Sequence, residues 1–257
     1  MKTKSLLLLA PALLCAAQAY GWGREGHEAV AYIAECNLTP KAKATVEGIL
    51  DGHSIVYYAS WMDEYRRTPE YKHTSVWHRA YVDKDMRYTD AIKRPEGEAI
   101  AALEESISML KNYKQLDDST AAVRVKYIIH LLGDMHCPVH VIYPDIKRGF
   151  NVVFEGDTIT HHKLWDAGMI RKRRMWHYME WQHQLDRCTP EQKAAITDGT
   201  PRDWIHQTAT DSRYLYDIAG PGTKIGRDYM NANIGLVDKQ ILKAGYRLAH
   251  VLNGLFN

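Results

Sequence analysis

The stretch from His130 to His140 carries the side chains with the clearest chemical potential in this sequence. As a helix, it places His130 and Asp134 one turn apart on the same face, where an imidazole and a carboxylate can share a partner. Pro138 ends regular helix, and His140 follows just past that break. The neighbouring residues are apolar, and a buried polar group without a partner costs a few kcal/mol. The pattern therefore indicates either a His–Asp pair in a helical core or a zinc site.

A second histidine and aspartate repeat this spacing farther along the chain. His162 and Asp166 are four residues apart, although one such pair occurs by chance on many helix surfaces. Three further places add potential ligands, namely the segment Trp22–His27, Asp63 and His78. Together these nine residues would serve two or three zinc ions, each with an open coordination position for water or substrate.

The bulk composition is that of a globular protein. The chain has 257 residues, of which 46% are hydrophobic and 25% are charged. Its mean hydropathy of −0.41 excludes a polytopic membrane protein. No long basic tract occurs, so the bulk charge does not by itself indicate nucleic-acid binding.

Residues 1–21 are typical of a secretory signal peptide. Two lysines precede an apolar run, Leu6–Ala17, which is too short to span a bilayer. Cleavage is acceptable after Ala19 or after Gly21, and only the second makes Trp22 the mature N-terminus. Loss of the two lysines leaves 31 basic residues, equal in number to the 31 acidic ones. Three cysteines remain, which allows at most one disulfide bond.

Hydrophobic periodicity predicts that a series of helices must position these ligands. The predicted helices are 28–36, 40–50, 96–113, a central helix capped by Ser119 or Thr120, 162–170, 175–185, 190–197, 201–218 and 231–252. Residues 57–67 are expected to be a short helix or irregular. The only strand-like stretch, 143–160, predicts a small hairpin. We therefore expect an all-α fold, with a single mainly helical domain, long loops and one small hairpin.

The motifs also follow the order of a known family. They are WGREGH from Trp22, SWMDEYR from Ser60, WH from Trp77, HLLGDMHCPVH from His130 and HKLWD from His162. In this order they resemble the S-one/P-one (type I) zinc-dependent, single-strand-specific nucleases, with the bacterial branch most similar. The resemblance covers nearly the whole mature chain. It implies a signal peptide at 1–21 and a nuclease domain at 22–257, with the helical fold that these nucleases share with phospholipase C.

The resemblance implies a cleft with three zinc ions. One ion would be held by Asp63, His78, His130 and Asp134. A second would share Asp134 and take His27 together with the amino nitrogen and carbonyl oxygen of Trp22. The third would be held by His140, His162 and Asp166. A free amino group on Trp22 requires cleavage after Gly21.

The implied activity is that of a secreted or periplasmic phosphodiesterase and 3′-nucleotidase. Single-stranded RNA and DNA, and 3′-nucleotides, would be its substrates, and 5′-nucleotides the products of strand cleavage. A hydroxide that bridges two zinc ions would attack phosphorus. Asp63 would orient the attacking water and Arg66 would stabilise charge on the phosphoryl oxygens. We expect a monomer without membrane attachment after signal cleavage.

Two departures from the family pattern concern substrate binding. After His78 the family usually has an aromatic residue that helps to hold a base, and here Arg79 stands in its place, with Tyr81 as a candidate replacement. The Gly-Gly-Asn loop of the family appears as Gly149-Phe150-Asn151, so Asn151 is a further candidate for substrate binding. These changes leave the metal ligands intact and put the base preference in doubt.

A third departure leaves two candidates for one ligand position. Thr160-His161 stands where the family often has Asn-Leu, so His161 is an alternative to His162 as a ligand or a neighbouring donor. The four-residue register with Asp166 favours His162.

Two other functions remain open on the sequence alone. A zinc phospholipase C shares the fold, but that family places its first histidine farther from the N-terminal tryptophan than His27 lies from Trp22. It also has glutamate where Asp166 stands. A catalytically weak, zinc-bound nucleotide-binding protein is the other alternative.

Overall fold

A computed structural model describes residues 22–257, so the predicted signal peptide lies outside the described residues. The helices are α1 (Arg24–Cys36), α2 (Pro40–Ile49), α3 (Trp61–Tyr65), α4 (Ala99–Leu110), α5 (Asp118–Asp134), α6 (His161–Lys163), α7 (Tyr178–Leu185), α8 (Pro190–Thr197), α9 (Pro201–Ser212) and α10 (Arg227–Phe256). The strands are β1 (Ala80–Tyr81), β2 (Val141–Ile142), β3 (Asn151–Phe154), β4 (Asp157–Thr160) and β5 (Lys224–Ile225). The predicted all-α class is confirmed.

The core forms around the 30-residue helix α10, which packs along α1 and also contacts α2, α5 and α8. Its buried residues recur at helical spacing, as in Val237, Ile241 and Leu248. Gly245 lets α10 approach α1 closely, because a Cβ atom there would lie 2.4 Å from Cγ2 of Ile33. The packing of the core thus depends on a glycine at position 245 as well as on buried apolar side chains. No described helix is both long and apolar enough to cross a membrane.

Helix α5 carries the central motif through this core. Its N-cap is Asp117, whose Oδ1 accepts from the backbone N–H of Thr120 at 2.9 Å, so the predicted cap at Ser119 or Thr120 is wrong. An aspartate also places negative charge at the positive end of the helix dipole, which favours this earlier start. The helix ends at Asp134, and Pro138 begins a 3₁₀ turn that ends at His140.

The strands join loops that are distant in sequence. The predicted hairpin is confirmed as β3 and β4, connected through Glu155 and Gly156, which both have positive φ as a two-residue type I′ turn requires. Strand β5 adds to β3 in parallel, and β1 pairs in parallel with β2 through Ala80 and Val141. These parallel pairings were not predicted, because each joins segments more than 50 residues apart.

Some predicted helices differ from the structure. The segment predicted as one helix at 162–170 is a short α-helix, α6, followed by π-helical turns from Leu164 to Gly168 and from Ile170 to Arg174. Such turns are frequent at functional sites because they re-aim side chains. The last helix is longer than predicted and begins at Arg227.

We expect Gly245→Ala to lower the free energy of unfolding by about 1–3 kcal/mol, because the new methyl group meets the side chain of Ile33. The matched control is Gly235→Ala on the same helix, where a Cβ atom meets nothing within 4 Å. That variant should gain about 0.5–1 kcal/mol from reduced backbone entropy. Chemical unfolding at saturating zinc measures both. Equal effects of the two substitutions would contradict this account of the α1–α10 contact.

Candidate metal centre and substrate cleft

The structure brings the eight predicted histidine and aspartate ligands to one place from six parts of the chain. They are His27 on α1, Asp63 on α3, His78 before β1, His130 and Asp134 on α5, His140 in the 3₁₀ turn, and His162 and Asp166 on α6 and the π-helical turn after it. Seven of these side chains are buried, and His162 is partly exposed.

The carboxylate of Asp134 lies at the centre of the cluster. Its Oδ2 is 2.8 Å from Nδ1 of His78 and 3.3 Å from Nε2 of His130. Its Oδ1 is 3.4 Å from Nε2 of His27 and 3.4 Å from Nδ1 of His140. One carboxylate therefore faces imidazoles on all sides, as expected of a ligand shared between two metal ions.

Asp63 completes this part of the cluster. Its Oδ1 is 3.7 Å from Nδ1 of His78 and 4.0 Å from Nε2 of His130. Nη2 of Arg66 lies 3.4 Å from the same oxygen. The two residues predicted to act on the phosphoryl group are thus neighbours, and both are buried.

A second group of ligand atoms forms on the far side of Asp134. Nε2 of His140 is 3.2 Å from Nε2 of His162, and these nitrogens lie 3.8 and 3.9 Å from the carboxylate oxygens of Asp166. Cys137, within the central motif, is a buried free thiol whose sulfur donates to Oδ1 of Asp166 at 3.8 Å.

Trp22 lies against the helices that carry His27 and Asp134. Its side chain is fully buried and packs on Gly26 and beside Gly133. The backbone N–H of Gly23 donates to the main-chain oxygen of Asp166 at 2.8 Å. The backbone of Trp22 is therefore next to the segments that carry His27 and Asp166, where the resemblance places its amino group.

The donor set fits bound cations. Several buried ligand atoms have no hydrogen-bond partner among the described residues: both ring nitrogens of His27, Oδ1 of Asp63, Nε2 of His78 and Oδ1 of Asp134. Each unsatisfied buried polar group costs about 1–3 kcal/mol, and more when it is charged. Buried histidine, aspartate and cysteine side chains lie here in groups of three whose ligand atoms are within 4.8 Å of one another, and zinc prefers these ligand types. Metal ions therefore satisfy atoms that the protein leaves unpaired.

Two histidines are already oriented for a metal ion by backbone carbonyls. Nδ1 of His130 donates to the carbonyl of Ala59 at 2.8 Å, and Nδ1 of His140 donates to that of His78 at 2.5 Å. Each bond fixes the tautomer and leaves the Nε2 lone pair directed into the cluster. The parallel pairing of β1 and β2 holds the second of these bonds in place.

Without cations, the cluster has strongly shifted pKa values. Burial opposes the charged imidazole of His130, but Asp134 and then Asp63 outweigh it and raise its pKa to about 9. Burial and the nearby carboxylates of Asp134 and Asp63 raise the pKa of Asp166 well above its usual range. Bound divalent cations relieve the repulsion among these three carboxylates.

His161 and His162 lie in different environments. The ring of His161 stacks on Phe150 with centroids 4.7 Å apart, and burial lowers its pKa to about 4. His162 instead faces His140 and Asp166. This geometry supports His162 as the ligand and gives His161 a place in an aromatic wall.

A cavity of about 1000 Å³ opens beside the predicted ligands and includes Asp63, His162 and Asp166 in its lining. Arg79, a candidate for substrate binding, also lines it. The lining does not include Tyr81, whose ring lies under the guanidinium of Arg94 at 4.7 Å, nor Asn151, which pairs with Thr160 in the hairpin.

The sequence did not identify three other residues that line the cavity. Phe150 and Tyr216 flank His161, with the rings of His161 and Tyr216 5.4 Å apart, and Arg148 lies beside them. The position of Phe150 in the altered Gly-Phe-Asn loop was an available signal. Tyr216 and Arg148 had none, because only the fold brings them to the cavity.

Comparison with known proteins gives a consistent result. The family model described as S1/P1 Nuclease matches residues 22–257. The chain is 24% identical to Nuclease S1 of Aspergillus oryzae, over 95% of each chain. It is 28% identical to Nuclease PA3 of a Penicillium species, over 90% of this chain and 97% of the relative. It is 32% identical to Nuclease P1 of Penicillium citrinum over 59% of each chain.

We expect zinc binding at pH 7 to release at least about one proton per chain, because His130 is protonated below its metal-free pKa of about 9 and must be neutral to bind a metal ion. The contribution from His130 should vanish as the pH rises through 9. Calorimetric titration in buffers of different ionisation enthalpy measures the release. A binding heat at pH 7 that does not depend on the buffer would contradict the prediction.

We further expect His162→Ala to weaken zinc binding by more than 10-fold at the affected position, because it removes a ligand. His161→Ala is the matched control, and it should keep the zinc content of the wild type. Metal analysis after dialysis against a competing chelator compares the two. The opposite pattern would make His161 the ligand.

Proposed function

This chain belongs to the S1/P1 nuclease family, and on that premise we propose that it hydrolyses phosphodiester bonds of single-stranded RNA and DNA to give 5′-nucleotides. The observation that carries the proposal is the cluster of buried imidazoles and carboxylates, several of whose ligand atoms have no hydrogen-bond partner, which opens into a large cavity. The phospholipase and binding-protein alternatives have no comparable support, because the family model matches the whole described chain.

We propose that the cluster holds three zinc ions. The first set is Asp63, His78, His130 and Asp134; the second is Asp134, His27 and the terminal amino nitrogen and carbonyl oxygen of Trp22; the third is His140, His162 and Asp166. When bound, zinc supplies Lewis acidity that polarises phosphoryl oxygens and favours deprotonation of water at neutral pH. The terminal amino group requires removal of residues 1–21, which supports a secreted or periplasmic location.

Asp63 and Arg66 then act directly on the reacting groups. The carboxylate of Asp63 borders the cavity and can accept a hydrogen bond from the attacking water, which fixes the direction of attack. The guanidinium of Arg66 is held 3.4 Å from Asp63 and can donate to a phosphoryl oxygen as negative charge develops there. Because both side chains are buried, little reorganisation is needed during the reaction.

The wall formed by Phe150, His161 and Tyr216 supports the preference for single strands. Aromatic faces bind an unstacked base at about 1–3 kcal/mol per base, and a paired base cannot reach them without leaving its helix. The same cavity would admit a 3′-nucleotide, whose single phosphate we propose is also removed. We propose that the protein acts as a monomer.

The test uses the protein starting at Trp22 and a variant with one extra N-terminal residue. Each is incubated with a single-stranded oligonucleotide and, separately, with a phosphatidylcholine analogue. We expect 5′-nucleotides from the oligonucleotide alone, with at least 10-fold lower kcat/KM after extension, because the extension replaces the terminal amine by an amide. A metal chelator should abolish the activity.

Cleavage of the lipid alone would replace the nuclease proposal with the phospholipase alternative. Turnover of neither substrate by a zinc-loaded protein would favour the binding-protein alternative. Equal activity of the extended variant would remove the amino group of Trp22 from the proposed ligands.

A further inference from the structure

The arginines that line the cavity differ in whether they have a carboxylate partner. Arg171 is held by Glu25, with Nε to Oε1 at 2.8 Å. Arg79 and Arg148 line the same cavity, and within residues 22–257 neither has a carboxylate at ion-pair distance. A guanidinium on a concave surface without such a partner is available to an anionic ligand.

Arg148 is held in place by neutral groups. Its side chain is half-buried, and Nη2 donates to the carbonyl of Val139 and lies 3.4 Å from Nδ1 of His162. Tyr216 lines the same cavity. These contacts use only some of its five N–H donors, so a fixed guanidinium still has donors for a ligand at the His162 end of the cavity.

Arg79 approaches the same end from another part of the chain. It directly follows the ligand His78 and precedes β1, and its side chain is exposed to the cavity. Arg79, Arg148 and His162 all line this cavity, and Nη2 of Arg148 lies 3.4 Å from Nδ1 of His162, so the two guanidiniums border one region. Each guanidinium is a planar, positively charged set of N–H donors. Two of them therefore bind a phosphate better than they bind a neutral base.

We propose that Arg148 and Arg79 form a second phosphate subsite beside His162, which binds the phosphate next to the scissile one. This inference rests on the proposed function and adds a substrate class to it. The enzyme then prefers strands with at least two consecutive phosphates over dinucleoside monophosphates and 3′-mononucleotides. Arg79 thereby adds charge to a cavity that also contains the aromatic wall of Phe150, His161 and Tyr216, so the cavity binds the backbone as well as the base.

The test compares trinucleotides that differ in one charge. The first has two ordinary phosphodiester bonds, and the other two carry an uncharged methylphosphonate at the 5′ or the 3′ linkage. Chromatography of the initial products reports kcat/KM for the same scissile bond with a charged or a neutral neighbour. For the wild-type enzyme, a charged phosphate beside the scissile bond should raise kcat/KM by about 10- to 100-fold over a neutral methylphosphonate. We expect this effect on one side of the scissile bond only, either 5′ or 3′, with the size of a charge-assisted contact.

The variants assign that preference to the two arginines. Arg148→Ala and Arg79→Ala should each reduce the ratio of charged to neutral substrate, whereas the control Arg171→Ala should keep it, because Glu25 already neutralises Arg171. Zinc content is measured for each variant, since Arg148 adjoins His162. The side chain of Arg79 has no described contact with the side chain of a zinc ligand. Arg79→Ala therefore tests the subsite even if Arg148→Ala loses zinc.

Three outcomes separate the possibilities. A wild-type enzyme that cleaves charged and neutral substrates equally would overturn the subsite. Variants that lower kcat/KM by the same factor on both substrates would also overturn it, because the arginines would then act on the scissile phosphate. Failure of zinc-loaded wild type to cleave any of the trinucleotides would instead refute the proposed nuclease function.

Discussion

The buried carboxylate of Asp134, surrounded by imidazoles, is the group on which the rest of the structure depends. His27, His78, His130 and His140 all approach it within 3.4 Å, although they come from four separate segments. A carboxylate removed from water is costly unless opposite charge and hydrogen bonds compensate for it. The surrounding imidazoles satisfy only part of this cluster, because Oδ1 of Asp134 and other buried ligand atoms have no hydrogen-bond partner, and bound cations would supply the rest of the compensation.

Close contacts between helices and between backbone segments bring these ligands together. Gly133 lets helix α5 approach α1, since a Cβ atom there would lie 2.7 Å from Nδ1 of His27. The rings of His27 and His130 consequently stack with centroids 3.9 Å apart. The pairing of β1 with β2 gives His140 its carbonyl partner, and the backbone of Gly23 ties the N-terminal segment to Asp166. Small residues and backbone groups thus position ligands as much as side-chain packing does.

Next to the buried cluster, the cavity combines surfaces suited to different parts of a nucleic acid. The aromatic wall around His161 suits an unstacked base, whereas Arg148 and Arg79 suit the backbone phosphates. Residues 22–257 contain equal numbers of basic and acidic residues, so they carry no net charge that would attract a polyanion over a distance. Attraction must therefore be local, in the cavity, where low exposure strengthens each charge–charge contact.

The sequence by itself determined the helical class and the ligand types, because hydrophobic periodicity and the His–Asp spacing at His130 and His162 are local properties of the chain. The family resemblance added the grouping of the ligands. Only the tertiary structure decided that Arg148 and Tyr216 line the cavity and that Tyr81 does not. It also decided the environments of Cys137 and His161. These outcomes depend on parallel strand pairing and helix contacts between distant segments, which leave no periodic pattern in the sequence.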